Sequence, residues 1–148
     1  MNSYCFKTEF GWITIKSINL KLVSVKFGKN KNIKNNKYLL NISKQIKLFL
    51  LGKIKEFQIN YKLSGTPLQI KIWNELSKIN YGQKKSYGEI AKKLGTSPRY
   101  IGNVCGKNNL LLIIPCHRVI KSDGSLGGFS GLGGIKLKKK LLTLESNE

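Results

Sequence analysis

Cys116 and His117 are adjacent within the segment Ile-Pro-Cys-His-Arg-Val at residues 114–119, and this histidine is the only one in the sequence. A cysteine reacts as its thiolate, and the pKa of a free thiol lies near ~8.5, so a neighbouring base is needed at neutral pH. Imidazole is the usual base. Adjacent side chains of an extended segment point to opposite faces, so the backbone must bend here or a water must carry the proton. Pro115 favours an extended Ile114, which predicts a strand that ends in a turned, solvent-accessible segment.

The composition is that of a globular protein with one domain or two small lobes. The chain has 148 residues, of which 41% are hydrophobic, and no apolar run approaches the ~18 residues of a membrane helix. The N-terminal residues lack the basic and then apolar pattern of a secretion signal. We therefore expect a cytoplasmic protein with no membrane partner.

The cysteines are odd in number and far apart in sequence, at Cys5, Cys105 and Cys116. Such spacing predicts neither a disulfide framework nor a paired set of zinc ligands. We expect reduced thiols, no metal and no cofactor.

The formal net charge of +20 would attract a polyanion, and nucleic acid is the first candidate. Of the 27 basic residues only Arg99 and Arg118 are arginine. The abundant lysine, asparagine and isoleucine are equally typical of a compositional bias of the source genome, so charge alone does not decide. The two arginines are more informative, because both lie within about twenty residues of Cys116.

The elements that must position these residues begin with a small lobe over residues 1–63, to which we assign a structural role. Alternating apolar and polar residues predict a hairpin or meander over 11–27. An exposed loop should follow over 28–37, and helical spacing predicts a helix over 38–51. Residues 56–63 are predicted to form another strand.

A mainly helical second domain is expected over residues 64–148. Thr66 should cap its first helix, with Pro67 in the first turn and Gln69 completing a capping box, and this helix should run to about residue 79. The apolar face of that helix includes Trp73, which is expected in the core.

Two short helices are predicted next. A capping box begins the first at residues 86–94, Gly95 and Thr96 make the turn, and the second covers residues 97–107. Two short helices joined by a glycine-containing turn are typical of a helix-turn-helix, although many proteins that bind no DNA contain such a pair.

A glycine-rich segment over residues 124–134 follows Cys116. It lacks the Gly-Lys-Ser/Thr ending of a phosphate loop, and its glycines would let backbone and one aromatic ring approach a flat ligand. A final helix is predicted over 135–144, with Glu145 at its end and Lys138, Lys139 and Lys140 on its outer side. The whole pattern predicts an α+β fold: a small N-terminal sheet-plus-helix lobe, then a mainly helical C-terminal domain with a winged-helix-like helix-turn-helix.

These motifs, in this order, resemble the O6-alkylguanine-DNA alkyltransferases, also called methylated-DNA–protein-cysteine methyltransferases. The resemblance covers about residues 66–145, and its most specific part is the active-site signature at 114–120. Residues 86–91 and 99–103 resemble the two DNA-facing helices of the family. The resemblance implies a monomeric repair protein that rotates O6-alkylguanine, and O4-alkylthymine, out of double-stranded DNA. The alkyl group would then pass once and irreversibly to Cys116.

The resemblance also implies roles in the chemistry. His117 would take the thiol proton through a water, and Glu145 would orient that imidazole. Asn108 would brace the turn before the nucleophile. Tyr87 would donate to the ring of the leaving guanine, and Ser130 to its oxygen.

Further roles concern DNA and the extruded base. Arg99 would enter the vacated base stack from a helix in the minor groove. Contacts to DNA backbone and shape are implied for Ser86, Tyr87, Tyr100, Gly102 and Asn103. The guanine would be held by the backbone carbonyls of Cys116 and Val119 and by the loop residues Phe129, Ser130 and Gly131.

Other interpretations stay open. Taken singly, Tyr87 could be a core residue, Ser130 a turn residue, and Arg118 and Glu145 a buried pair; we expect Arg118 to be structural. A non-catalytic alkyltransferase-like protein would bind the lesion with its nucleophile replaced, and Cys116 argues against this. A cysteine hydrolase would need an oxyanion site, and the adjacent Cys-His order matches no hydrolase signature. The zinc site of some family members is not expected, because Cys5 has no cysteine or histidine near it in sequence.

Overall fold

The computed structural model describes residues 1–31, 34, 36–129 and 133–146. The chain divides into two compact units, the N-terminal unit Met1–Leu63 and the C-terminal unit Ser64–Glu148. The expected α+β fold class is confirmed, since a small sheet with one helix comes first and the second unit is mainly helical.

The N-terminal unit is a three-stranded antiparallel sheet, in the order β1-β2-β3, against which one helix packs. Its elements are β1 (Asn2–Thr8), β2 (Gly11–Ile18), β3 (Lys21–Phe27) and α1 (Lys37–Leu50). The expected hairpin is confirmed as β2 and β3, whose turn places Asn19 and Leu20 at φ 50° and 59°. Positive φ at both central residues suits the right-handed twist of the two strands.

Two features of this unit differ from the prediction. Strand β1 was not predicted, because its residues do not alternate cleanly between apolar and polar. The strand predicted over 56–63 is wrong. Only Tyr61 forms a bridge there, to Leu22, whose backbone bonds to Asn60 and Lys62 at 2.9 Å each. A strand needs a partner along its whole length, and most of this segment stays exposed instead.

The C-terminal unit combines four α-helices with a two-stranded parallel sheet among its described residues. Its elements are α2 (Pro67–Leu76), β4 (Lys85–Ser86), α3 (Tyr87–Leu94), α4 (Pro98–Gly106), a 3₁₀ turn (Cys116–Arg118), β5 (Val119–Ile120) and α5 (Gly134–Ser146). Both expected capping boxes are present, with Thr66 and Gln69 at α2 and Ser86 and Glu89 at α3. These caps satisfy amide groups that helix ends leave without partners.

Helices α3 and α4 form the expected helix-turn-helix. Gly95 ends α3 with φ 70°, a conformation that glycine adopts without steric cost. The Ser97 hydroxyl accepts from Tyr100 N at 3.1 Å and so begins α4. Trp73 Nε1 donates to Val104 O at 3.1 Å, which joins α2 to α4 within the core.

Helix α5 corrects one prediction about its surface. Lys139 and Lys140 are exposed as expected, but Lys138 is completely buried. Lys138, Leu141 and Glu145 are spaced three and four residues apart, so they share the inward face of this helix. Within the described ranges, no helix is long and apolar enough to cross a membrane.

Candidate active site

The turn that carries the nucleophile is fixed by Asn108, which is buried. Its Nδ2 donates to Ile114 O at 2.9 Å, and its Oδ1 accepts from Leu110 N at 2.8 Å. Ile114 O also accepts from Cys116 N at 2.8 Å, after which Cys116 begins the 3₁₀ turn. The strand predicted before Cys116 is wrong, since a turn closed by a single bridge precedes it and β5 follows it. Buried side-chain hydrogen bonds, rather than a sheet, hold this segment.

Leu112 lies within this turn with φ 72° and is buried. Such a backbone conformation costs a non-glycine residue of order 1 kcal/mol and persists only where the surroundings enforce it. Burial of the leucine side chain and the Asn108 hydrogen bonds supply that constraint directly before the nucleophile.

Cys116 lies at the wall of a pocket of about 600 Å3, a volume typical of small-molecule sites. Cys116 is 3% exposed, so the residue is almost fully buried although it borders the pocket. Other pocket walls come from Tyr87 on α3, from Arg99 and Gly102 on α4, and from Phe129. The helix-turn-helix and the glycine-rich segment therefore meet at the sulfur.

His117, Glu145 and Arg118 form a buried hydrogen-bonded group beside the nucleophile. His117 Nε2 lies 2.8 Å from Glu145 Oε2. Arg118 Nε donates to Glu145 Oε1 and Nη2 to Oε2, each at 2.8 Å, and Nη1 donates to Ile79 O at 2.7 Å. One carboxylate thus binds both basic side chains of the signature segment.

The protonation state of this group follows from its partners. Burial alone would raise the pKa of Glu145, but the hydrogen bonds from His117 and Arg118 outweigh it and lower that pKa to about 2. Since Glu145 is ionised, His117 Nε2 must donate to it. Burial lowers the pKa of His117 below its usual 6.5, more than Glu145 raises it, so the ring is neutral at pH 7. Its Nδ1, buried and without a hydrogen-bond partner among the described residues, is therefore a free proton acceptor.

The Cys116 thiol needs such an acceptor. Burial raises its pKa above the ordinary value, while the hydrogen bond with Asn108 and the charge of Lys138 lower it. The thiol is consequently protonated at neutral pH until a base takes its proton.

Lys138 is a component of the site that the sequence did not reveal. Its Nζ donates to Val119 O at 2.6 Å and to Tyr87 Oη and Gly128 O at 3.2 Å each. Burial lowers the pKa of Lys138, whereas thiolate charge on Cys116 or Cys105 raises it. Its place three and seven residues before Leu141 and Glu145 was the available signal.

Tyr87 and Gly127 pack closely together. Burial raises the pKa of Tyr87 to about 12, with smaller contributions from thiolate charge on Cys105 and Cys116, so the phenol keeps its proton. Gly127 has φ 71°, and a Cβ there would lie 3.1 Å from Tyr87 Cε2 and from Tyr87 Oη. This glycine therefore gives the tyrosine ring its space at the pocket wall, in addition to permitting the turn.

The remaining predicted residues lie on the helix-turn-helix, in the core behind the pocket, or outside the described part of the chain. Ser86 caps α3 through its hydroxyl, Asn103 is exposed on α4, and Tyr100 is partly exposed there. Val119 is fully buried and is not part of the pocket lining; its carbonyl accepts from Lys138. Ser130 and Gly131 lie outside the described residues.

The C-terminal unit places a helix-turn-helix beside a pocket whose wall holds Cys116, with His117 and Glu145 hydrogen-bonded next to it. This combination indicates a DNA-binding class of protein with a nucleophilic thiol. The family model described as 6-O-methylguanine DNA methyltransferase, DNA binding domain, matches residues 67–147, and the chain belongs to this family. The resemblance seen in the sequence is thereby confirmed.

Individual relatives agree with this assignment. The protein named methylated-DNA–protein-cysteine methyltransferase from Metallosphaera sedula is 35% identical over 145 residues, 96% of this chain and 91% of the relative. The crystal structure of Mycobacterium tuberculosis OGT in complex with DNA has a TM-score of 0.90 and 30% identity, covering 99% of this chain and 93% of that one. S. pombe Atl1, in complex with damaged DNA containing O6-carboxymethylguanine, has a TM-score of 0.50 and 27% identity, covering 58% of this chain and 82% of that one.

Proposed function

We propose that this protein repairs double-stranded DNA by transferring the alkyl group of O6-alkylguanine to the sulfur of Cys116. The observation that carries the proposal is the position of this thiol at the wall of a pocket bordered by α4, with the His117–Glu145 pair beside it. Relatives named methylated-DNA–protein-cysteine methyltransferase support the reaction, and the similar OGT structure in complex with DNA supports the partner.

The first step is removal of the thiol proton. His117 Nδ1 is the neutral acceptor, and one bridging water carries the proton to it from Cys116. Glu145 holds Nε2–H and stabilises the imidazolium that forms. Because the carboxylate is held ionised by Arg118, it keeps the ring in the tautomer that leaves Nδ1 able to accept.

Alkyl transfer then follows as an in-line displacement. The thiolate sulfur bonds to the alkyl carbon while the carbon–O6 bond breaks, and the electron pair remains on guanine as its anion. Lys138 donates to Tyr87 Oη, so the phenol directs its own hydrogen elsewhere. We assign that hydrogen to the ring of the departing guanine, where it meets the developing charge.

Guanine recognition is assigned to the backbone carbonyls of Cys116 and Val119, which would accept from the exocyclic amine. Each oxygen already accepts one hydrogen bond, Cys116 O from Val119 N and Val119 O from Lys138 Nζ. A carbonyl has a second lone pair, so each oxygen keeps the capacity to accept from the amine, and the fully buried Val119 oxygen would have to become accessible as the base enters. Phe129, which lines the pocket, contributes apolar contact to the base.

The alkylated base must leave the helix to reach this pocket, at a cost of a few (~2–4) kcal/mol for unpairing and unstacking. Arg99 is exposed in the first turn of α4 and lines the pocket mouth. We assign it to the vacated stack, with Ser86, Tyr100, Gly102 and Asn103 on the DNA-facing surface. Contacts to backbone and shape suit a protein that must accept any flanking sequence.

The reaction consumes the protein, because a thioether is a poor leaving group for water and no step regenerates the thiol. The proposal includes action by a monomer in the cytoplasm, acceptance of O4-alkylthymine, a structural role for the N-terminal unit, and DNA binding and alkyl transfer by the C-terminal unit.

The deciding experiment uses duplex DNA that carries radiolabelled O6-methylguanine. We expect one label per protein molecule, located by peptide mapping on Cys116, and none in Cys116→Ala. Cys5→Ala is the matched control and should accept label normally. Tight binding of the lesion without transfer would contradict the proposal and support the non-catalytic, Atl1-like alternative.

A further inference from the structure

Cys105 brings a second thiol to the pocket that holds Cys116. It lies in the last turn of α4 and is 8% exposed. Both cysteine side chains line the same pocket, and both are reduced. Alkyl transfer uses one thiol, so the second has no part in that reaction.

Asn108 fixes the two cysteines relative to each other. Its backbone N donates to Cys105 O at 3.1 Å, and its side chain donates to Ile114 O at 2.9 Å. The same Ile114 oxygen accepts from Cys116 N at 2.8 Å. A single buried residue therefore joins the end of α4 to the turn of the nucleophile, and the pocket lies between the two thiols and solvent.

Lys138 is a cation shared by the two sulfurs. Burial and the charge of a Cys116 thiolate raise the pKa of Cys105 to about 12, whereas Lys138 lowers it. Lys138 also lowers the pKa of Cys116 against the effect of burial. The Cys105 pKa is raised mainly by its burial, and the Lys138 ammonium is the group that favours the Cys105 thiolate.

We propose that Cys105 and Cys116 form an oxidisable pair: hydrogen peroxide that enters the pocket oxidises Cys116, and Cys105 converts the product into an intramolecular disulfide. In the first step the Cys116 thiolate attacks a peroxide oxygen. The S–O bond forms, the O–O bond breaks, and the second oxygen leaves as water after protonation. In the second step the Cys105 thiolate attacks the Cys116 sulfenic acid, forming the S–S bond and releasing another water. The two thiols lose two electrons and two protons, and the peroxide becomes two waters.

The disulfide preserves the nucleophile. A sulfenic acid without a partner thiol is oxidised further to sulfinic and sulfonic acids, which thiols do not reduce. A disulfide is returned to two thiols by thiol exchange. This benefit rests on the proposed function, in which the Cys116 thiol accepts an alkyl group only once. The pair would keep unreacted molecules able to accept an alkyl group after exposure to peroxide.

The test treats the full chain with hydrogen peroxide, blocks remaining thiols with iodoacetamide, and maps the peptides by mass spectrometry. We expect the protein to lose two hydrogen atoms and to yield a peptide pair linked through Cys105 and Cys116. Dithiothreitol should restore both thiols. Cys5→Ala, the matched control in the other unit, should form the same link, whereas Cys105→Ala should accumulate sulfinic acid at Cys116 that dithiothreitol does not reverse.

The proposal is overturned if the wild-type chain forms irreversibly oxidised Cys116 as fast as Cys105→Ala does, or if the link joins Cys5 or two molecules. The wild-type peptide map decides the question even if Cys105→Ala does not fold. Because this readout contains no DNA, it succeeds or fails independently of label transfer from O6-methylguanine.

Discussion

Arg118 binds both carboxylate oxygens of Glu145, through Nε and Nη2 at 2.8 Å each, and both side chains are buried. The sequence left two interpretations of Glu145, as the group that orients His117 and as half of a buried pair. Glu145 has both roles, since its Oε2 is hydrogen-bonded to His117 Nε2 as well as to Arg118 Nη2. The guanidinium thus determines the charge and direction of the carboxylate that faces the imidazole.

Substitution of Glu145 should therefore affect both folding and reaction. We expect Glu145→Gln to lower the free energy of unfolding by about 3 kcal/mol, because Arg118 would remain buried without its counter-charge. Alkyl transfer should also slow, because the imidazolium loses its stabilising anion. Urea unfolding and single-turnover label transfer measure the two effects. Glu56→Gln, at an exposed position, is the control and should change neither.

The contribution of Glu145 to the free energy of unfolding should decrease as the pH falls. Its pKa falls from an ordinary 4.5 to about 2 on folding, so the native state favours the ionised form. This stabilisation is complete above about pH 4.5 and is lost as pH falls through the native pKa. The difference in unfolding free energy between wild type and Glu145→Gln should shrink between about pH 4.5 and pH 2. A difference that stays constant over this range would show that the pair does not control the titration of Glu145.

His117 should determine how the rate of alkyl transfer depends on pH. A base accepts a proton only when neutral, and the pKa of His117 lies below its usual 6.5. The rate of alkyl transfer should therefore be about as high at pH 6.5 as at pH 7, and should fall only at lower pH. In His117→Gln we expect a rate lower by about 10²-fold or more at pH 7, rising with pH as hydroxide replaces the missing base. An unchanged profile in a variant with normal thermal stability would exclude His117 as the base.

Lys138 provides a fourth test, because its buried ammonium group acts on both the loop and the thiol. Lys138→Met should raise the pKa of Cys116 and leave the carbonyls of Val119 and Gly128 without this donor. The pH dependence of the reaction of Cys116 with iodoacetamide should therefore shift to higher pH. Lys139→Met, its exposed neighbour, is the matched control. Equal profiles in the two variants would show that Lys138 has only a structural effect.

Much of the fold could be predicted because its signals are local. Capping boxes at Thr66 and Ser86 and the turn at Gly95 depend on residues within one helical turn, so the sequence carries them directly. The false strand at 56–63 and the missed β1 depend instead on which segment pairs with which. Pairing is set by the whole unit, and alternation over a few residues does not encode it.

The residues of the site also differ in whether a local sequence signal could identify them. The signature segment identified Cys116 and His117 from adjacent residues. The burial of Lys138 was indicated only by its helical spacing from Leu141 and Glu145. Its hydrogen-bond partners could not be predicted, because the accepting oxygens belong to Tyr87, Val119 and Gly128 on other parts of the unit. Cys105 was likewise separated from Cys116 by ten residues, and only the packing of α4 beside the turn brings both to one pocket.

Arg99 allows base extrusion to be separated from chemistry. The side chain is exposed in the first turn of α4 and lies at the pocket that would receive the base. If it occupies the vacated stack, Arg99→Ala should slow repair of O6-methylguanine in duplex DNA by about tenfold or more, since extrusion costs a few (~2–4) kcal/mol. Reaction with the free base O6-benzylguanine needs no extrusion and should change by less than about threefold.

Lys107→Ala, at the opposite end of α4, is the matched control for a lost positive charge. It should reduce the salt dependence of DNA binding by at most about one unit in slope, and should leave the ratio of duplex to free-base rates unchanged. Single-turnover rates on both substrates, measured at one salt concentration, give that ratio for each variant. Equal loss on both substrates in Arg99→Ala would place the arginine in the chemistry or in the shape of the pocket, because reaction with the free base needs neither extrusion nor DNA binding.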